Sequence, residues 1–128
     1  MRFRVIGCVL LLAGLAAAGP LPFGVTLGGQ KAKAGLLPNA AYAKIADPVA
    51  ADAEFVISSN EAMIIINIFD CDDKGNVASS ATPAVIMLQG SNKGKINSVM
   101  SGTAPKTGTH IMNITAGADT ARILFKVK

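Results

Sequence analysis

A chain of 128 residues with 12 basic and 8 acidic side chains has room for one domain and carries a formal charge of +4. Arg2, Arg4, Lys31 and Lys33 account for the whole excess, so residues 35–128 are formally neutral and carry no basic stripe. That excludes nucleic-acid binding. A 51% hydrophobic composition is enough for the domain to be held by an apolar core.

The chain begins MRFR and continues VIGCVLLLAGLAAAG, with no charged residue between Arg4 and Lys31. A short basic stretch before an apolar run is the grammar of a secretory signal. Three small-x-small cleavage motifs follow it: Ala16-Ala17-Ala18, Ala32-Lys33-Ala34 and Ala41-Tyr42-Ala43. The competing reading is a retained anchor, since about 20 apolar residues span a bilayer. Gly19, Pro20, Pro22, Gly24, Gly28 and Gly29 interrupt the second half of the run, which favours cleavage. Residues 1–34 are therefore expected to form a signal peptide or N-terminal anchor, with any membrane contact confined to it. The mature protein is expected in the periplasm, at the cell surface or outside the cell. Cys8 belongs to this leader and leaves Cys71 without an intramolecular partner, which excludes a disulfide-stapled fold.

Residues 35–53 are alanine-rich, and Pro38 and Pro48 would each break a helix. The stretch reads as a linker or extended arm. From residue 54 the texture changes to short β-branched runs separated by turn residues. AEFVISS, EAMIIINIFD, PAVIMLQG, GKINSVMSG, TGTHIMNITAG and TARILFKVK each read as a strand. The segments between them carry Gly, Pro, Asn, Asp and Ser. Regular strand spacing without a helical period predicts an all-β domain over residues 54–128, an antiparallel sandwich of about six to seven strands.

In the last run Ala121, Ile123, Phe125 and Val127 alternate with Thr120, Arg122, Leu124, Lys126 and Lys128, predicting one buried and one mostly wet face. The run from Ala62 to Phe69 differs. Ala62, Ile64, Ile66 and Ile68 share one face, yet Met63, Ile65 and Phe69 occupy the other. Its second face is expected to be covered, by the arm or by another subunit.

The Pro-Lys-Gly turn, the strand opened by Gly108-Thr109-His110, the Ala-Gly turn and the final amphipathic strand together resemble the closing hairpin of bacterial immunoglobulin-like domains. The resemblance covers residues 54–128 and implies a sandwich, not a particular function. The buried tryptophan and paired cysteines of true immunoglobulin domains are absent.

Two stretches carry candidate ligands. In IFDCDDKGNV, Asp70, Asp72 and Gly75 match the first, third and sixth positions of a helix-flanked calcium loop. Lys74 and Ala81 replace its fifth and twelfth ligands, and the flanks read as strands. A looser calcium site would use Asp70, Asp72, Asp73 and Asn76; the alternative is a plain turn, with Gly75 supplying positive φ. Cys71 sits among aspartates that disfavour thiolate, and as the sole mature cysteine it is a candidate for an intermolecular disulfide.

In the second stretch, GTHIMNITAG, His110 and Met112 share one strand face, and with Met87 they are soft ligands of the kind that select Cu(I). Met63 and Met100 are further thioethers of that kind. The element His110-Ile111-Met112 resembles the His-x-Met element of periplasmic copper chaperones. That family pairs the element with an upstream histidine, and this chain has no second histidine. Core filling is the competing role for these methionines. Asn113-Ile114-Thr115 matches a glycosylation acceptor.

One histidine, no nucleophile elbow and no phosphate-cradling glycine loop argue against an enzyme. The expectation is an exported, non-catalytic sandwich acting through a protein partner or self-association. Periplasmic copper binding and a calcium-stabilised extracellular module are the alternatives.

Overall fold

The computed structural model describes residues 21–34 and 43–128. Everything expected of residues 1–20, including the leader's apolar run and its first cleavage motif, lies outside the described residues, as do residues 35–42. The described chain is all-β and contains no helix. Its strands in order are β1 (Val25–Leu27), β2 (Gln30–Lys31), β3 (Lys33–Ala34), β4 (Ala43–Lys44) and β5 (Glu54–Ile57). They continue as β6 (Met63–Asp70), β7 (Ala84–Gln89), β8 (Lys93–Lys95), β9 (Gly108–Ala116) and β10 (Asp119–Val127).

These strands form two sheets. The smaller has the order β2-β1-β5-β8 and the larger β3-β4-β10-β9-β6-β7. All pairings are antiparallel except β10 with β4. The sheets enclose one apolar core, so the architecture is sandwich-like. Phe55 and Ile57 from the smaller sheet meet Ile64, Ile66, Ile114 and Phe125 from the larger within one cluster. Each such fully buried side chain contributes about 1.5–3 kcal/mol relative to leaving it in water.

Strand alternation explains most of the pattern. Along β6 the even-numbered Ile64, Ile66 and Ile68 are buried, and along β9 so are His110, Met112, Ile114 and Ala116. Along β10 the expected face, Ala121, Ile123, Phe125 and Val127, is the core face. Leu124, expected on the wet face, is also buried, because it pairs across to Ile111 and Cys71 packs over both.

The sheets draw in residues upstream of Glu54, where the strand texture begins. Val25 and Leu27 are buried and pair with Ile57 and Phe55 of β5. Gly28 and Gly29 make the two-residue loop from β1 to β2, with φ of 59° and 80°, the conformation that suits a tight hairpin. In the arm, Ala43, Ile45, Val49 and Ala53 are all buried. From Ala43 the arm runs parallel to β10, with Ile45 N–H donating to Leu124 O and Val49 N–H to Lys126 O. A reciprocal pair of bonds between the Gln30 side-chain amide and the Asp47 backbone ties the arm to β2.

GKINSVMSG forms a strand only at its start, within Lys93–Lys95. Ile96 then drops into the core, Asn97 and Ser98 turn outward, and the chain crosses to the larger sheet. There Val85 N–H donates to Ser101 O and Met100 N–H donates to Val85 O. Two residues thus oppose one, which is a β-bulge on the outer side of β7.

Candidate functional site

The aspartate loop follows β6. Cys71 bridges to Val77, and the turn inside is closed by Asp72. Asp72 Oδ1 accepts the backbone N–H groups of Lys74 and Asn76 at 2.8 and 2.9 Å, and Oδ2 accepts the Asn76 amide at 3.0 Å. Gly75, at φ 88°, lets the chain reverse. The hydrogen bonds from Asn76, backbone first and side chain second, hold the Asp72 carboxyl below its ordinary value.

Its neighbours look elsewhere. Asp73 Oδ1 accepts from the Thr109 hydroxyl at 2.8 Å and lies 3.6 Å from Lys126 Nζ. Asp70 Oδ1 lies 3.0 Å from His110 Nδ1. The three carboxylates therefore serve three separate partners, and the structure does not bring Asp70, Asp72, Asp73 and Asn76 to one point. Among the described residues no group of three His, Cys, Asp or Glu side chains converges as a metal site.

His110 is 3% exposed and faces the core side of β9. Its Nε2 lies 2.6 Å from Lys106 O, and because a carbonyl only accepts, Nε2 is the donor. Nδ1 is close to Asp70 but off the line that a hydrogen bond requires, so that contact is proximity without a directional bond. The Phe125 ring lies against the imidazole, centroids 5.5 Å apart.

Met112 is fully buried on the same face, as the two-residue spacing predicts. Met87 is on the opposite face of the sheet: it pairs with Ile65, and both point outward. The sheet itself separates Met87 from His110 and Met112. Spacing along one strand fixed the pair on β9, whereas the side that Met87 takes depends on the β6–β7 register.

Cys71 is a free thiol, half-buried against Ile111 and Leu124. Burial first, then the charges of Asp72, Asp70 and Asp73, push its pKa from 9.0 to about 11. Asn113 lies on the outer face of β9, where its Oδ1 accepts from Arg122 Nε at 3.1 Å.

The strongest surface feature is the one that the two-faced run in β6 pointed to. On the outer face of the larger sheet, Met63 and Met87 are 44% and 39% exposed. Ile65, Phe69 and Val85 lie half-buried in the same layer. No helix among the described residues is long and apolar enough to cross a membrane. Comparison with protein-family models, curated proteins and solved structures finds no significant match to this chain.

Proposed function

We propose that this chain is an exported, non-catalytic immunoglobulin-like sandwich that acts through protein contacts, as a surface or periplasmic assembly subunit. The observation that carries the reading is the outer face of β6 and β7. An antiparallel sheet with one face on the core normally turns polar side chains to water on the other. Here Met63, Ile65, Phe69, Val85 and Met87 take most of that second face, with Asn67 and Gln89 among them, on a sheet whose inner face already packs the core. Large apolar side chains gathered on an exposed face mark interaction sites.

The immunoglobulin-like assignment is supported by the strand order. The run β10-β9-β6-β7 matches the G-F-C-C′ order of variable-type domains, and β1-β5-β8 fits A-B-E in the facing sheet. Export is supported by the basic and apolar leader. Cleavage after Ala18 leaves Val25 and Leu27 in the mature core, whereas cleavage after Ala34 or Ala43 removes them.

A photo-crosslinking residue placed at Met63 or Met87 in the producing cell tests the contact face. Adducts of defined mass are expected from these positions and not from Glu54 or Lys93 on the smaller sheet. Equal labelling from both sheets, or none from either, would overturn the reading.

A further inference from the structure

We propose that two copies of this chain pair antiparallel along the outer edge of β7, about Leu88, joining two six-stranded sheets into one. The inference rests on the protein-contact reading above and names the partner as a second copy. Its basis is the hydrogen-bond phase of the ladder. Gly90 N–H donates to Ala62 O, so the alternation along β6 and β7 turns the backbone groups of Leu88, Ile86 and Ala84 toward β6. Those of Val85, Met87 and Gln89 point away from it. Val85 is satisfied by the bulge at Met100 and Ser101. For the outward N–H and C=O groups of Met87 and Gln89 there is no backbone partner among the described residues.

Charge sets this edge apart. The other edge strands carry lysines: Lys31 on β2, Lys33 on β3, Lys93 and Lys95 on β8. Lysine on an edge discourages pairing with another chain. The sequence AVIMLQ of β7 carries no charge, so two copies meet there without repulsion.

Geometry makes the edge self-complementary. With Met87 of one copy opposite Gln89 of the other, the two-fold axis passes at Leu88 and the four open N–H groups meet the four open C=O groups. In that register Gly90 of one copy falls opposite Ile86 of the other. Gly90 has φ 69° and turns the chain away one residue before it would meet the bulge at Val85. A longer straight strand would run into Met100 and Ser101. On the outer face the same register sets Met87 of each copy beside Gln89 of the other, so the row Ile65–Met87 continues across the axis into Gln89–Met63.

The test is sedimentation velocity of the purified full-length mature protein over a wide concentration range, with amide hydrogen exchange at both ends of that range. The wild type is expected to dimerise reversibly, with or without reductant. Met87 and Gln89 amides are expected to gain protection with concentration, while the Val85 amide is protected throughout. The double variant Met87→Lys, Gln89→Lys is expected to weaken the dimer at least tenfold while keeping the wild-type melting curve, because both side chains are exposed in the monomer. A monomer at every concentration would overturn the pairing. So would a dimer indifferent to the two lysines, or one lost only in reductant, which would implicate Cys71. A monomer that still forms outer-face cross-links would defeat the pairing alone, whereas absence of both would also defeat the protein-contact reading.

Discussion

Replacing Leu27 by alanine is expected to destabilise the fold by about 2–5 kcal/mol. Leu27 is fully buried, pairs across β1 and β5 with Phe55, and belongs to the same core cluster as the larger sheet's isoleucines. Losing its outer carbons forfeits roughly 2 kcal/mol of transfer free energy at about 0.8 kcal/mol per buried carbon. The cavity left behind adds to this, because neighbouring side chains held in paired strands collapse only in part. For a domain of about 100 residues each kcal/mol moves Tm by roughly 4–8 °C, so a fall on the order of 10 °C or more is expected. Urea unfolding should show a lower midpoint with an unchanged slope. Thr26→Ala, on the half-buried face of the same strand, serves as the control and should cost far less. If the two variants behave alike, β1 is not part of the mature core. Intact mass would then reveal whether cleavage after Ala34 or Ala43 had removed Leu27 altogether.

Three further outcomes follow from the same geometry. Gly28→Ala should cost about 1–2 kcal/mol from its left-handed backbone alone, and more because a Cβ there would sit 3.1 Å from Val49; a chemical denaturation curve reads it. Cys71, with its thiol pushed up to about 11, should alkylate slowly at pH 8 and accelerate only as pH approaches that value. In denaturant the same thiol should react with an ordinary profile, and fast alkylation of the folded protein at pH 8 would contradict its burial. Asp72 has a lowered folded pKa, so the stability it gives is present above the ordinary carboxylate value of 3.8 and is lost as pH falls through the folded value. Comparing melts of wild type and Asp72→Ala from pH 7 to pH 2 should show a difference that closes only at the acid end.

What could be read in advance divides along physical lines. Strands β6, β7, β9 and β10 were legible because each is long enough to show alternation and is rich in β-branched residues. Strands β1 to β4 are two or three residues long, made of Ala, Lys, Gln, Thr and the two apolar residues of β1, and no period can be detected over such a length. Only tertiary pairing with β5 and β10 makes them strands. At the candidate sites, side-chain parity within one strand was reliable, as His110 and Met112 show. Where a loop carboxylate points was not legible. Asp70, Asp72 and Asp73 lie within four residues, yet each lies against a different partner: His110, the Lys74–Asn76 turn, and Thr109 with Lys126.

The arm brings these points together. Six strand-like runs leave the seventh strand of such a sandwich to come from residues 35–53, of this chain or of a neighbour, and deleting that stretch presents itself as a test of assembly. In the structure the arm from Ala43 onward is already spent within its own chain, parallel to β10 and with Ile45 and Val49 in the core. Its removal would strip buried side chains worth about 1.5–3 kcal/mol each from a fold whose whole stability is about 5–15 kcal/mol. Loss of assembly after that deletion would therefore report unfolding. The edge that stays available is β7, at the far end of the same sheet, where side chains can be charged without touching the core. Assembly that survives lysines at Met87 and Gln89 but fails with Met63→Asp would move the contact from the strand edge to the sheet face; assembly lost with the edge lysines alone would assign it to the backbone groups of β7.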